Sequence, residues 1–526
     1  MFNTAWNLTG HETKLKSYAK LGEFQKRYYN IGVKKTEDSA KLSVPKEVAE
    51  VARTLENKGF QAYLIGGCVR DLLVGRRPKD WDITTNAKPE EIVASFPNTF
   101  YENDYGTVGV VTENTDDETL KVIEVTPYRL EGNYSDKRRP DSVTWGAKLE
   151  DDLKRRDFTI NAIALKLPGD IVDIFSGQID IKKKTIQTVG DPESRFSEDA
   201  LRMLRAVRIA VELDFTIDST TGDAIALNAK HIKEMAAERI RDEFIRIIMS
   251  PRPHIGLILS QKLGLLKYIA PELEEGIGVA QNKAHSFDVF EHMLRTIEHA
   301  AKKEFPLETR LSALLHDIGK PATRRWSEEK KDWTFYGHDV VGAKIAAKIM
   351  ARLAFPRKMT DIVTTLVRWH MFFSDTEQIT HSAVRRIVNR VGKEHVWNLM
   401  DVRACDRIGT GRPKESPYRL RKYHSMIDEV MRDPLSVGML KINGGRILEL
   451  TKTAPGPKIG HILHALLEEV LDDPAKNTAD YLEKMALELY ALPEKELEKR
   501  GKSAKESKEK EEEKTLQAIR KRHWVS

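Results

Sequence analysis

The chain has 526 residues, of which 40% are hydrophobic and 32% charged, a composition typical of a globular protein with several domains and a highly charged surface. The net charge of +6 permits a nucleic-acid partner without indicating one. The two cysteines, Cys68 and Cys405, exclude a disulfide framework and a cysteine-rich zinc site. No apolar run approaches the roughly 20 residues that span a bilayer, so we expect a cytoplasmic protein.

The first regular elements follow a polar extension, residues 1–42, to which no function is assigned. Pro45 begins a helical pattern that Gly59 ends, and the apolar run 62–65 predicts a strand. Further on, 88–92 predicts a short helix, and apolar alternation at 107–111 and 120–125 predicts two more strands. These elements indicate a small domain that combines a sheet with helices.

The predicted strand 62–65 leads into Gly66 and Gly67, and a short helical pattern begins near Cys68. Two glycines allow close approach of the backbone to a polyphosphate, and a helix start offers unpaired N–H groups to it. Asp80 and Asp82 follow, one residue apart, so that an extended segment places both carboxylates on one face. Each feature alone is weak evidence, but together they predict a nucleotidyl-transfer site with magnesium.

Glu124 lies within the predicted strand 120–125. It is either a third carboxylate near the metals or a strand residue that faces solvent, and the sequence leaves both interpretations open.

Two basic patterns follow. Arg155, Arg156 and Asp157 precede an apolar stretch, where paired guanidinium groups can bind phosphate or ribose. From Pro192 a predicted helix carries polar residues at every third position, which are Asp199, Arg202, Arg205 and Arg208. An aspartate accepts and an arginine donates hydrogen bonds, so this helix face can read base edges, although spacing alone favours a surface ion pair.

The residues GG (66–67), VRD (69–71) and KDWD (79–82), within one strand–helix–strand unit, resemble the signature of the DNA polymerase β-like nucleotidyltransferase superfamily. In particular the chain resembles the CCA-adding enzymes (tRNA nucleotidyltransferases) and the bacterial poly(A) polymerases. RRDFTINA (155–162) is similar to the ribose-recognising motif of that family, and EDALR (198–202) to the motif that selects C or A as a protein template.

The resemblance implies template-independent addition of CCA to the 3′ end of tRNA from CTP and ATP. The RNA 3′-hydroxyl would attack the α-phosphate, with two Mg²⁺ ions held by Asp80 and Asp82. The nucleotide would be bound by a larger set of residues, namely Gly66, Gly67, Arg70, Arg156, Asp199, Arg202, Arg205 and Arg208. The main alternative is a poly(A) polymerase that accepts ATP alone.

Residues 128–148 are polar and include three cations, Lys137, Arg138 and Arg139. Composition predicts a flexible loop. The family uses a loop at this place for addition of the terminal A, and this segment is similar to an intact copy, which argues against an enzyme limited to CC. Residues 236–250, with Arg239 and Glu243, resemble the helical neck of the family, and we expect a structural role for them.

A second group of residues lies between 285 and 406 and is typical of a metal site. It comprises His292, His316, Asp317, His338, His370 and Asp406. Imidazole and carboxylate ligands on several helices suit manganese, nickel or zinc, with an open position that generates hydroxide. The pattern resembles the HD phosphohydrolase superfamily, which implies hydrolysis of phosphomonoesters or 2′,3′-cyclic phosphodiesters at RNA ends. A role in folding or tRNA docking stays open, as does an HD phosphohydrolase whose N-terminal half only binds RNA.

The C-terminal part contains an apolar helical pattern after 454–457, similar to a family segment that engages tRNA, but Arg446 departs from the acidic residue expected after the glycines. We predict an α+β fold, with a nucleotidyltransferase sheet-and-helix head followed by a mostly helical body. The predicted divisions are the extension 1–42, head 43–190, neck 191–275 with the base-recognition helix, HD domain 276–410, tRNA-engaging region 411–490 and charged tail 491–526. The oligomeric state is left open.

Overall fold

The computed structural model describes residues 42–101, 106–113, 115–131, 143–145, 148–283, 285–372, 379–493 and 497. It confirms the predicted fold class, because a head with a mixed sheet precedes a body of helices. Almost all of the polar extension and of the charged tail, and most of the loop 128–148, lie outside the described residues. In the part of the chain that the structure describes, no helix is long and apolar enough to cross a membrane.

The head begins with α1 (Lys46–Asn57), β1 (Ala62–Ile65), α2 (Gly67–Leu73), β2 (Asp82–Thr85), α3 (Pro89–Val93), β3 (Thr99–Tyr101), β4 (Val108–Val111) and β5 (Val122–Pro127). It continues with β6 (Arg129–Glu131), β7 (Val143–Trp145), α4 (Leu149–Lys154), a 3-10 turn (Thr159–Asn161), β8 (Ala164–Lys166), β9 (Asp170–Val172), α5 (Gly177–Lys183) and β10 (Thr185–Ile186). The predicted strand 62–65 and the predicted helices after Pro45 and Lys88 are confirmed.

Seven of these strands form one sheet in the order β3-β4-β5-β2-β1-β8-β9. β2 and β5 run parallel, and the other neighbours are antiparallel. The register pairs Asp82 of β2 with Glu124 of β5. Side chains of paired residues on adjacent strands point to the same face of a sheet, so these two carboxylates share one face.

The body begins with α6 (Pro192–Glu198), α7 (Leu201–Leu213), β11 (Thr216–Ile217), α8 (Ser219–Asn228), α9 (Ala237–Met249), α10 (Pro253–Lys262), α11 (Leu266–Ile269), α12 (Pro271–Glu274), α13 (Val289–Lys302) and α14 (Leu307–Leu315). It continues with α15 (Lys320–Thr323), β12 (Arg325–Ser327), β13 (Asp332–Thr334), α16 (His338–Arg352), α17 (Arg357–Trp369), α18 (His381–Val391) and α19 (Val396–Gly409). The last helices are α20 (Tyr418–Val430), α21 (Gly444–Thr451), α22 (Pro457–Asp472) and α23 (Ala479–Tyr490).

The hydrophobic cores show how these helices are joined. One core runs without a break from α7, with Met203 and Val207, to α17, with Val363 and Val367. A second core packs α18 to α23 together and includes Leu366 on the other side of α17. Helix α17, which ends next to His370, therefore contributes to both cores and joins them.

Candidate active sites

The glycine turn between β1 and α2 brings several predicted residues together. Gly66 has a φ of +79°, a left-handed conformation that favours glycine. A Cβ atom placed on Gly66 would lie 2.7 Å from Nη1 of Arg156 and 3.6 Å from Oδ2 of Asp82. A Cβ atom on Gly67 would lie 3.7 Å from Nη2 of Arg70 and 4.0 Å from Oδ1 of Asp80. Cations and carboxylates therefore converge on a backbone that lacks side chains.

The carboxylates of this head site lie at the start of β2. Asp82 is its first residue, and the intervening Trp81 is buried, so Asp80 and Asp82 point away from the core. Asp80 is exposed, whereas Asp82 and Glu124 are half-buried. Of the two interpretations of Glu124, its pairing with Asp82 favours a third carboxylate on the metal-binding face. Hard oxygen donors of this kind fit Mg²⁺.

Arg156 and its neighbour are oriented by a carboxylate that sequence reasoning missed. Asp152 is 0% exposed on the side chain and accepts hydrogen bonds from Nε and Nη2 of Arg155 at 2.9 and 2.6 Å. Nη2 of Arg156 lies 3.4 Å from the other oxygen. Burial raises the pKa of Asp152, but the guanidinium groups of Arg155 and Arg156 outweigh it and lower the pKa. Its position three and four residues before two arginines is the signal available in the sequence.

A chain of hydrogen bonds connects this turn with α7. Arg205 donates from Nε and Nη2 to Asp157 Oδ2 at 2.8 and 2.6 Å, and Asn161 Nδ2 donates to Oδ1 at 3.0 Å. Arg70 Nη1 in turn donates to Asn161 Oδ1 at 2.8 Å, and its Nη2 to Asp71 at 2.7 Å. Burial opposes the charge on Asp157, but Arg205 and Asn161 hold its pKa well below the usual range. Asp157 and Asn161 therefore link the helix expected to select the base with the glycine turn.

The predicted helix from Pro192 is in fact two helices, and Asp199 lies at the break between α6 and α7 rather than on the face of one helix. Its Oδ1 accepts from the backbone N–H of Leu201 at 2.9 Å, a local bond that competes with helix continuation. Arg239 of α9 donates to Oδ2 at 2.9 Å. Arg239 thus has the structural role that the neck resemblance implied.

The other two arginines of this set differ in environment from Arg205. Arg202 Nη1 donates to Glu198 at 2.6 Å and Nη2 to the carbonyl of Arg155 at 3.2 Å, which keeps it next to the ribose motif. Arg208 is buried and donates to Glu243 at 2.6 Å and to Glu212 at 2.8 Å. Arg208 therefore packs α7 against α9, and the structure does not bring it together with the glycine turn.

The thiol of Cys68 belongs to the structure of the turn. Burial and the neighbouring Asp82 carboxylate raise its pKa to about 12. Sγ donates to the carbonyl of Ile65 at 3.2 Å. A protonated, buried thiol does not act as a nucleophile, so the head site depends on carboxylates and guanidinium groups.

The second predicted site consists of six candidate metal ligands, all of them buried or nearly buried. They separate into two sets that share Asp317: His292, His316, Asp317 and Asp406 in one, and Asp317, His338 and His370 in the other. Within the first set, Nε2 of His292 lies 3.0 Å from Asp317 Oδ2 and 3.3 Å from Asp406 Oδ1. Ligands about 2.1 Å from one metal ion lie at such separations from each other.

The two oxygens of Asp317 face different sets. Oδ2 faces His292 and His316, at 3.0 and 3.2 Å, whereas Oδ1 faces His338 and His370, at 3.3 and 3.7 Å. A carboxylate in this position can bridge two metal ions. The sequence predicted these six residues as one metal site, whereas the structure arranges them in two sets.

Backbone carbonyls fix the orientation of three of the four imidazoles. Nδ1 of His316, His338 and His370 donates to the carbonyls of Ala313, Phe335 and Val367 at 2.9, 2.7 and 2.7 Å. In the neutral rings Nε2 then carries a lone pair, and Nε2 of His338 and His370 face each other at 3.3 Å. Lone pairs at this distance repel each other unless a cation lies between them, which fits a transition metal.

The pKa shifts in the first set of residues also favour a bound cation. Burial opposes a charge on His316, but the carboxylates of Asp317 and Asp406 outweigh it and raise its pKa to about 10. Burial also opposes the charges of Asp317 and Asp406, yet their imidazole and cationic neighbours hold both pKa values well below the usual range. The centre therefore favours a positive charge in its middle, which a bound metal cation would supply.

Three further polar groups line this metal centre and were missed from the sequence. Nζ of Lys320 lies 2.6 Å from Asp317 Oδ2, and Nη1 of Arg403 donates to Asp406 Oδ2 at 2.6 Å. The ring of His285 meets that of His292 edge-on, with centroids 5.6 Å apart. Lys320 follows Asp317 by three residues, a helical spacing that could have identified it.

Comparison with known proteins agrees with this division into two sites. Residues 62–187 match the family model "Poly A polymerase head domain", residues 214–277 "Probable RNA and SrmB- binding site of polymerase A", and residues 285–409 "HD domain". The crystal structure of the Bacillus stearothermophilus CCA-adding enzyme in complex with CTP is similar, with a TM-score of 0.64 and 29% identity. That match covers 84% of this chain and 96% of the other.

Two curated relatives extend the comparison. A CCA-adding enzyme from Geobacillus thermodenitrificans is 32% identical over 85% of this chain and 97% of its own length. A CC-adding tRNA nucleotidyltransferase from Thermus thermophilus is 34% identical over 77% of this chain and 89% of its own length. The chain therefore belongs to the family of tRNA nucleotidyltransferases that includes the CCA-adding enzymes.

Proposed function

We propose that this protein adds CCA to the 3′ end of tRNA, using CTP and ATP, in the cytoplasm. The observation that carries the proposal is the convergence of Asp82, Asp80, Arg156 and Arg70 on the Gly66-Gly67 backbone. In the reaction the 3′-hydroxyl oxygen of the RNA forms a bond to the α-phosphorus of the nucleotide, and the bond to pyrophosphate breaks. Family membership supports the reaction class, and relatives of both CC-adding and CCA-adding type match the chain.

Each residue at the turn has a role that follows from its position. Arg156 and Arg70 bind phosphate and ribose oxygens, and Asp152 and Asn161 hold those guanidinium groups in place. Asp80 and Asp82, with Glu124 beside them, would hold Mg²⁺. When bound, Mg²⁺ would lower the pKa of the 3′-hydroxyl and neutralise charge on the leaving pyrophosphate.

Base selection is assigned to Asp199 and Arg202, with Arg205 as their support. Asp199 offers carboxylate oxygens held by Arg239, and Arg202 offers guanidinium N–H groups held by Glu198. An acceptor and a donor in fixed orientation suit the Watson–Crick edge of C or A. Arg208 is not included, because its partners Glu243 and Glu212 bury it within the helix packing.

The proposal is tested with tRNA that lacks CCA and with each labelled nucleotide supplied alone. CTP alone should be incorporated, and ATP alone should be added efficiently only to tRNA that already ends in CC. Sustained incorporation of ATP alone, with no use of CTP, would overturn the proposal in favour of poly(A) synthesis.

We further propose that the second centre is a metal-dependent phosphohydrolase. The observation that favours this activity is the bridging position of Asp317 between two ligand sets. His292, His316 and Asp406 would hold one transition-metal ion, and His338 and His370 the other, with Asp317 common to both. Such ions would supply Lewis-acid chemistry and a hydroxide at neutral pH. Lys320 and Arg403 add positive charge for an anionic substrate.

In this hydrolysis the oxygen of water forms a bond to phosphorus, the ester P–O bond breaks, and an alcohol and inorganic phosphate are released. The purified protein, supplied with Mn²⁺, Ni²⁺ or Zn²⁺, should hydrolyse p-nitrophenyl phosphate. The activity should disappear in Asp317→Ala and persist in Asp82→Ala. Absence of hydrolysis with every metal would overturn this second proposal and leave a structural role for the centre.

A further inference from the structure

A short hairpin lies beside the metal centre and is not used by either proposed reaction. It consists of β12 (Arg325–Ser327) and β13 (Asp332–Thr334), paired antiparallel, and it occupies the chain between Lys320 and His338. Hairpins with strands this short have marginal stability unless side chains support them. The side chains of this hairpin therefore either support its fold or serve another purpose.

The hairpin exposes two large aromatic side chains. Trp326 is 48% exposed and Tyr336, two residues after β13, is 53% exposed. The cross-strand partner of Trp326 is Trp333, whose ring lies edge-on at 5.2 Å, and the guanidinium of Arg324 covers Trp333 at 3.5 Å. This packing explains Trp333 as a support of the hairpin. It does not explain the exposed surface of Trp326 or the exposure of Tyr336.

Several contacts fix the hairpin to the metal centre. The carbonyl of Phe335, adjacent to Tyr336, accepts from Nδ1 of the ligand His338 at 2.7 Å. Nζ of Lys320 lies 5.5 Å from the centroid of the Phe335 ring. On the other side, Asp332 accepts from the backbone N–H of Lys283 at 3.0 Å. Tyr336 therefore directly follows, in the chain, the residue whose carbonyl orients the candidate ligand His338, and Asp332 anchors the hairpin to the segment before α13.

Positive charge accompanies the aromatic rings. The hairpin and its base carry four cations, Arg324, Arg325, Lys330 and Lys331, against three acids, Glu328, Glu329 and Asp332. The carboxylate of Asp332 accepts from the backbone N–H groups of Lys283 and Trp333, which reduces its influence on a ligand. Nζ of Lys330 donates to the Tyr336 hydroxyl at 2.9 Å. Rings next to cations are the combination that binds unpaired bases together with their phosphates.

We infer that Trp326 and Tyr336 form a stacking platform for the unpaired bases of a single-stranded RNA, whose terminal phosphate enters the metal centre. The inference rests on the phosphohydrolase proposed above and adds the residues that would bind the RNA next to its terminal phosphate. A small aryl phosphate reaches the same centre without using the platform, because it has no second base to stack. The platform therefore contributes to RNA affinity and not to the chemical step.

The experiment compares p-nitrophenyl phosphate with a short single-stranded RNA that carries a 3′-phosphate, in wild type, Trp326→Leu, Tyr336→Ala and Tyr336→Phe. Trp326→Leu and Tyr336→Ala should each raise the KM for the RNA about tenfold, in keeping with the usual effect of losing one aromatic stack. Tyr336→Phe keeps the ring and should remain close to wild type. Hydrolysis of p-nitrophenyl phosphate should be unchanged in all variants. Tyr101→Ala, which removes an exposed tyrosine from β3 of the head, serves as the matched control.

An unchanged KM for the RNA in both Trp326→Leu and Tyr336→Ala would overturn the inference. Equal losses for both substrates would also overturn it, because the hairpin would then support the centre rather than bind RNA. If wild type hydrolyses neither substrate, the phosphohydrolase proposal fails. The platform is then tested separately, by measuring the affinity of the labelled RNA with fluorescence anisotropy. About tenfold weaker binding to Tyr336→Ala than to wild type would support it, and equal binding would contradict it.

Discussion

The head site and the metal centre use carboxylates in opposite ways. In the head, Asp80 is exposed and Asp82 is half-buried, at the open end of a strand beside a glycine turn. In the centre, Asp317 is buried, shared between two ligand sets, and surrounded by imidazoles whose orientation backbone carbonyls fix. The more exposed carboxylates at the head site leave room for a triphosphate, whereas the buried residues of the centre are held in position by the helices that carry them. The difference indicates one site that assembles with its nucleotide and one that is formed in advance.

The largest effect is expected for Asp82→Ala. Loss of a metal-binding carboxylate from the open site should reduce nucleotide addition by at least about a thousandfold, equivalent to about 4 kcal/mol of barrier. Binding of CTP should remain detectable, because the guanidinium groups that contact it are retained, and p-nitrophenyl phosphate hydrolysis should be unaffected. Addition is measured by incorporation of labelled CTP. If Asp82→Ala still adds nucleotides, the site at the glycine turn does not catalyse the addition.

The reciprocal change is Asp317→Ala, which removes the carboxylate common to both ligand sets. Metal analysis should find the transition metal lost from the protein, together with a lower Tm, since a ligand bound only to the folded state stabilises it. Nucleotide addition measured at a temperature below the Tm of the variant should be retained. Loss of addition in the folded variant would contradict the separation of the two sites.

A smaller effect is expected for Gly66→Ala. With a φ of +79° and a ψ of −134°, Gly66 has a backbone conformation outside the αL region that essentially only glycine adopts, and it costs another residue about 1–3 kcal/mol. The new Cβ would also lie 2.7 Å from Nη1 of Arg156 and displace that side chain. Such misplacement should lower kcat/KM for CTP about a hundredfold. Gly75→Ala is the matched control, because Gly75 has a φ of +72° and no atom within 4 Å of the new Cβ. Equal losses in both variants would mean that backbone strain, and not Arg156, accounts for the effect.

Asn161→Ala should act more weakly. It removes the amide that connects Arg70 with Asp157, at 2.8 and 3.0 Å. A hydrogen bond to a charged group contributes about 1.5–3 kcal/mol, so KM for the nucleotide should rise about tenfold or somewhat more. Asn228→Ala, which removes an amide from α8, is the control. An unchanged KM would show that Asp71 alone orients Arg70.

The smallest effect concerns stability and pH at Asp401 on α19. Burial, aided by Glu415, raises its pKa from 3.8 to about 6. Because the folded pKa lies above the unfolded one, the charged form is a penalty that is absent below pH 3.8 and complete above pH 6. Asp401→Asn should therefore raise the Tm by a few degrees at pH 7–8, with the gain disappearing toward pH 4. A gain that does not depend on pH would contradict this cause.

Local sequence patterns were sufficient to predict the positions of several helices and strands of the head. Strand β1 and helix α3 lie where the sequence predicts them, because apolar periodicity and the helix-starting proline act over a few residues. The break at Asp199 was not predictable in this way. It depends on a side-chain bond to Leu201 and on Arg239, which is 40 residues away in sequence. The spacing of residues in the sequence could not show that these bonds of Asp199 compete with continuation of the helix.

For the metal centre, the sequence predicted which residues lie together but not their arrangement in two sets. The division into two sets depends on how α13, α14, α16, α17 and α19 pack, which turns the two oxygens of Asp317 toward different histidines. Lys320 and Arg403 each lie three residues from a predicted ligand, a helical spacing that could have identified both, whereas His285 is recognisable only from its contact with His292.

The central claim is that the head completes CCA on tRNA, and sequencing of 3′ ends tests it most directly. Transcripts of tRNA that lack CCA are incubated with the protein, CTP and ATP, and the products are read to their last nucleotide. Most products should end in one complete CCA and should not be extended beyond it. Products that stop at CC, or that carry a run of A without C, would contradict it.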